Sequence, residues 1–191
     1  IERMIGKLFV DNAGSIPISL APFSNLRSNS EDDLDFTVAC GDGRDRLLEL
    51  VEFAPLQELG VSYEDAPRQM GIQQMAQFVT ELIAKKSARQ GGVDRLLLIY
   101  KTAQQFFISP PVQELVRRML AEKAPRFDAV YFLSPHDAVH ATVFEVWPGK
   151  SHEFFRDLTN EKLGTLRLIR AYPDEFVKTK VGGKVVFKRR P

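Results

Sequence analysis

The sequence predicts a mixed α/β domain: a central sheet of parallel and antiparallel strands flanked by helices, followed by a basic C-terminal hairpin. Three observations carry this. Two β-rich runs, residues 35–40 and 46–53, meet at a Gly41-Asp42-Gly43 turn, the arrangement of an antiparallel pair. Residues 96–100, Leu-Leu-Leu-Ile-Tyr, are apolar on both faces, as strands buried in a parallel sheet are. Segments with a helical apolar period alternate with these runs. At 191 residues, 44% hydrophobic and 27% charged, the chain is neither disordered nor fibrous. It is long enough to bury roughly 70% of its unfolded surface as one domain spanning residues 1–191.

The elements follow in order. Ile1, Met4, Ile5, Leu8 and Phe9 form one helical stripe, and Gly14 is placed to end it. Residues 15–30, rich in Ser, Asn and Pro, read as a short extended piece plus loop. The second hairpin run is apolar apart from its glutamates and is expected to be a central strand. Residues 55–67 form an irregular connector long enough to suspect a function. Met75, Phe78, Val79, Leu82 and Ile83 then mark an amphipathic helix that ends at Gly91-Gly92. Another helix starts near Ser109, with Pro110 and Pro111 in its first turn, where a missing N–H costs nothing. Val112, Leu115, Val116, Met119 and Leu120 are its buried stripe. Strands are expected at 129–133 and 142–147, a third helix at 151–163, and a hairpin of residues 176–180 and 184–188 around Gly182-Gly183.

Several functions are excluded by what is missing. No G-x-S-x-G, Walker A or G-x-G-x-x-G motif occurs. The single cysteine, Cys40, excludes an intrachain disulfide framework and fits a reducing, cytoplasmic compartment. Cys40 sits in a predicted strand and reads as a buried thiol rather than a nucleophile. No apolar run of about 18 residues exists, so no membrane partner is expected. The chain begins at Ile1 rather than Met, so a trimmed or incomplete start is expected and a removed targeting segment stays open. His136 and His140 lie between two predicted strands, where the H-x-x-x-H spacing does not present two ligands together, and they read as loop residues.

The carboxylates are more informative. Glu31, Asp32, Asp33 and Asp35 crowd the entry to the first hairpin strand, and Glu49 and Glu52 lie on the second. Alternation sends Glu49 and Glu52 to opposite faces, with Glu49 beside Val51. A carboxylate on a largely apolar strand is costly unless paired, hydrogen-bonded or bound to metal. Asp35 and Glu49 can meet across the hairpin and offer oxygen ligands to Mg²⁺ or Mn²⁺. A solvated acidic loop, with Glu49 held by an arginine such as Arg44 or Arg46, is the alternative.

A helix, then Asp35-Phe36-Thr37-Val38, a glycine turn, Leu48-Glu49-Leu50-Val51, a helix and a buried strand together resemble the core of the restriction-endonuclease-like PD-(D/E)XK superfamily. In that superfamily an Asp on one strand and an acid-x-Lys on the next hold a divalent metal and activate water for phosphodiester cleavage. The resemblance covers residues 1–100. It implies a restriction-endonuclease-like core and a metal-dependent nuclease, with Asp35 as first ligand and Glu49 as second acid. Leu34 stands where the family often has Pro, and Val51 where it has Lys; moving the motif to Glu52 puts Ala54 at the Lys position. Without that cation the developing charge is less stabilised, which implies an impaired enzyme unless a lysine comes from elsewhere. Lys101, at the end of the 96–100 strand, is the first candidate, ahead of Lys85 and Lys86, with Gln73, Gln74 and Gln77 as polar neighbours. The alternative is a non-catalytic α/β binding or protein-interaction domain.

Charge is unevenly spread. Residues 1–66 carry 13 acids and 5 bases, and residues 67–191 carry 12 acids and 21 bases. The halves either present opposite fields, suited to a homo-oligomer or protein partner, or neutralise each other on folding. Lys180, Lys184, Lys188 and Arg189 in the last hairpin, with Lys178 and Arg190 beside them and Arg117 and Arg118 on the preceding helix, are candidates for binding DNA or RNA phosphates. Lysines that blunt an exposed strand edge are the equal alternative. Trp147 either stacks on a base or covers the core.

Overall fold

The computed structural model describes residues 1–14, 17–29, 34–68 and 70–166 with their side chains, and residues 176–181 and 184–189 as backbone strands. Helix α1 (Glu2–Ala13) buries Ile5, Leu8, Phe9 and Ala13. Ile1 and Met4, on the same stripe, are exposed at its first turn. Three antiparallel strands follow: β1 (Ser24–Ser28), β2 (Phe36–Ala39) and β3 (Asp45–Glu52). β1 is the extended piece expected within residues 15–30. The β2–β3 turn closes through Cys40 N–H to the Arg44 carbonyl at 2.9 Å, with Gly43 at φ 80, a left-handed geometry that glycine adopts without strain. Arg46 locks this hairpin: its guanidinium donates to both oxygens of Asp42 at 2.9 and 2.8 Å and through Nε to Asp128 at 2.9 Å.

The connector after β3 contains one helical turn, α2 (Leu56–Leu59), ended by Gly60 in the left-handed region. Helix α3 (Ile72–Gln90) leads into β4 (Arg95–Tyr100), and α4 (Pro110–Glu122) leads into β5 (Ala129–Pro135) and β6 (Ala141–Trp147). The six strands form one sheet in the order β1-β2-β3-β4-β5-β6. β3, β4 and β5 run parallel at its centre, and the outer pairings are antiparallel. Both parallel connections step in the same direction, so right-handed crossovers place α3 and α4 on one face.

Each face is a separate core. On the α3/α4 face, Ile72, Met75, Val79 and Ile83 of α3 and Val112, Leu115 and Val116 of α4 pack on Leu97, Ile99, Val130 and Phe132. On the other, α1 packs over Leu48, Leu50, Leu96, Leu98, Tyr100 and Tyr131. Phe9 and Phe23 stand against the Tyr131 ring, with centroids at 5.2 and 5.6 Å. A fully buried ring or branched chain of this kind contributes about 1.5–3 kcal/mol. Burial on both faces is why the β4 and β5 segments carry no polar alternation.

The helix expected over 151–163 is instead a 3₁₀ turn, Glu153–Phe155, and a short helix α5 (Asn160–Gly164). Two separate caps divide it: the His152 ring accepts from Phe154 N–H and the Thr159 hydroxyl accepts from Lys162 N–H. β7 (Phe176–Val181) and β8 (Lys184–Arg189) pair antiparallel with each other as a two-stranded sheet. Among the described residues no helix is long and apolar enough to cross a membrane.

Candidate functional site

Asp35 immediately precedes β2 and is half-buried. Its Oδ2 accepts the Leu50 backbone N–H at 2.7 Å. Leu48 and Leu50 turn their N–H groups toward β2 by the alternation of an antiparallel ladder. The Asp35 side chain therefore supplies the acceptor where the β2 backbone ladder stops. Glu49 is 4% exposed on the face covered by α3, beside Val51. Its Oε1 accepts from Lys86 Nζ at 2.5 Å. The β2–β3 register ends at the Phe36–Leu48 pair, with Asp35 one residue before it in the chain and Glu49 one residue after it on β3.

The lysine that reaches Glu49 is thus Lys86, from the penultimate turn of α3. Lys101 follows β4, is 2% exposed, and donates to Gln104 Oε1 at 3.1 Å. Lys85, one residue from Lys86, points to the other side of α3 and pairs with Glu58 of α2 at 3.0 Å. Gln73, Gln74 and Gln77 are exposed on α3. Lys86 carried a legible signal: it continues the Val79–Ile83 stripe by three residues, so the buried face of α3 runs into a lysine.

A second polar group lies at the carboxyl ends of β3 and β4, where open α/β sheets take ligands. Glu52 Oε1 accepts from Tyr63 Oη at 2.7 Å and also from the Thr102 hydroxyl. Burial pushes the Tyr100 phenol above its ordinary range, and the charges of Glu52, Glu2 and Asp35 add to that. These acids act on Tyr100 through space without converging: among the described residues no three His, Cys, Asp or Glu side chains form a metal-ligand group.

No family model, curated protein or solved structure matches this chain.

The remaining candidates sort by their contacts. His140 is held by Asp137 at 2.8 Å and His136 by Thr142 at 2.7 Å, both in the β5–β6 turn, as loop residues. Cys40 is buried, and desolvation raises its thiol pKa against the opposing hydrogen bond from Arg46. Trp147 is half-buried and packs on the α3/α4 core. Arg118 is engaged inside the protein by Glu114 at 2.9 Å and by the Phe155 and Leu158 carbonyls at 2.7 and 2.6 Å. It is not presented to a phosphate backbone. Glu31, Asp32 and Asp33 lie outside the described residues, as do the side chains of Lys180, Lys184, Lys188 and Arg189.

Proposed function

We propose that this chain is a restriction-endonuclease-like protein acting on nucleic acid, with Asp35 and Glu49 as the carboxylates that hold Mg²⁺ or Mn²⁺. The supporting observation is Lys86. Helix α3 lays a lysine on Glu49, so the cation that Val51 cannot provide from β3 comes from the following helix. The order helix, three-strand meander, helix, parallel strand supports the same reading.

The donor set suits a hard cation. Asp35 is oriented by the Leu50 N–H through Oδ2, which leaves Oδ1; Glu49 is oriented by Lys86 through Oε1, which leaves Oε2. Mg²⁺ commonly takes one or two carboxylates and completes its shell with water and substrate phosphate. When bound, the metal supplies polarisation of the phosphodiester and a more acidic water. Lys86 adds a fixed positive charge for the negative charge that develops on phosphate oxygens. The ion pair gives it that role ahead of Lys101, which donates to Gln104.

Calorimetric titration of Mn²⁺ into wild type, Asp35→Asn and Glu49→Gln tests the site. Asn at 35 keeps an acceptor for Leu50 N–H, so lost binding reports on charge rather than folding. Wild type should bind, both variants should not, and Mn²⁺-dependent cleavage of single- or double-stranded oligonucleotides should fall with Lys86→Met. A folded wild type that binds no Mn²⁺ would retire the metallonuclease.

The same ion pair favours a second reading. Glu49 already has its counter-charge, as a purely structural carboxylate would, which leaves a non-catalytic module that binds DNA or RNA through Lys180, Lys184, Lys188 and Arg189 on β7 and β8. That module retains nucleic acid with steep salt dependence and cleaves nothing.

A further inference from the structure

Arg117 is the arginine of α4 that forms no salt bridge among the described residues. Its Nη2 donates to the Glu145 carbonyl at 2.5 Å, while Nε is buried without a hydrogen-bond partner. The nearest acid on the helix, Glu114, is spent on Arg118 and on the His152 N–H at 3.3 Å. Burial lowers the Arg117 pKa from the ordinary guanidinium range, and Glu114 and Glu145 offset this only in part. Gly149 permits the arrangement: a Cβ there would lie 2.7 Å from Arg117 Nε and 2.7 Å from the Glu145 carbonyl oxygen.

Arg117 lines a cavity of about 670 Å³ between α4 and residues 150–155, shared with Gln113, Lys150, His152, Glu153 and Phe154. That volume lies within the range of small-molecule sites, about 300–1,000 Å³. Phe154 is 72% exposed at this cavity, with the Phe155 ring edge-on behind it at 5.2 Å. An exposed aromatic face beside a half-buried arginine that has no ion-pair partner, and a surface lysine, is the chemistry that recognises a planar base joined to a phosphate.

We infer that this cavity binds a nucleotide, with its phosphate on Arg117 and Lys150 and its base against Phe154. The site shares no residue with Asp35, Glu49 or Lys86, so the two proposals stand or fall separately. The test is calorimetry with adenosine monophosphate, inorganic phosphate, adenosine, and a trinucleotide with and without a 5′-phosphate. The variants are Arg117→Gln, Lys150→Ala and Phe154→Ala, each checked by circular dichroism melting. Adenosine monophosphate should bind more tightly than phosphate or adenosine. Lys150→Ala and Phe154→Ala should each weaken it by about fivefold or more, the loss expected for one charged contact or one stacked base. Arg117→Gln should weaken it by at least as much. Lys150 and Phe154 are exposed, so their variants carry the test even if Arg117→Gln does not fold. Tighter binding of the 5′-phosphorylated trinucleotide assigns the site to a strand end, and equal binding assigns it to the free nucleotide. No binding of either at millimolar concentration, or folded Lys150 and Phe154 variants that bind like wild type, overturns the inference.

Discussion

Replacing Lys86 with Met deletes one charge while keeping an apolar stem of similar length, and so isolates the contact on Glu49. The carboxylate left behind is 4% exposed against the α3 core. Removing one partner of a buried pair costs about 3–5 kcal/mol. The Lys86 side chain is itself 25% exposed, so water reaches that end of the pair and the expected cost falls to about 2–3 kcal/mol. In a chain of this size that corresponds to a melting temperature lower by about 4–12 °C. Urea unfolding followed by circular dichroism, with thermal scans alongside, measures both. The double variant Glu49→Leu/Lys86→Met removes the stranded charge together with its partner. It should return to within about 1 kcal/mol of wild type, because a buried pair offsets little beyond its own desolvation. A single Lys86→Met costing under about 0.5 kcal/mol, the range of an ordinary surface change, would refute the reasoning. So would a double variant no more stable than the single one.

Three further outcomes follow from named contacts. The Arg46 hydrogen bonds hold the Asp42 carboxyl down at about 2. A depressed carboxyl stabilises the fold above its unfolded value near ~4 and loses that contribution as pH falls through the folded one. The melting temperature should therefore drop between pH ~4 and ~2, and Asp42→Asn should flatten that part of the profile. Asp35→Ala strands the Leu50 N–H and should cost about 1–3 kcal/mol in urea unfolding, whereas Asp35→Asn should cost clearly less. Tyr131→Phe removes the 2.7 Å hydrogen bond to the Ser19 carbonyl that ties the loop after α1 to β5, and calorimetric unfolding should register a loss of about 1 kcal/mol.

Much of the fold was legible because its determinants are local. The Asp-Gly turn, the apolar run before Tyr100 and the Pro-Pro start of α4 each fix backbone geometry within a few residues. The segment over 151–163 misled because its apolar spacing resembles one helix, while the caps at His152 and Thr159 restart the backbone twice. A capping residue competes with helix continuation through a single hydrogen bond, which hydrophobic periodicity does not register.

The candidate sites divide the same way. From the sequence alone came a mixed sheet, a hairpin carrying Asp35 and Glu49, and a resemblance whose motif has lysine where this chain has Val51. Which lysine meets Glu49 depended on how α3 rolls against β3, a contact between residues 37 apart in sequence. Lys85 and Lys86 look alike in sequence, but the helical turn of about 100° between neighbours sends one to Glu58 and the other to Glu49 at the edge of the core. Arg117 and Arg118 part company for the same reason: Arg118 is satisfied by Glu114 and loop carbonyls, and Arg117 is left beside a cavity with its Nε unpartnered. Local pattern sets which elements form. The facing surfaces of distant elements, brought together only by packing, decide which charges are neutralised and which remain to bind something else.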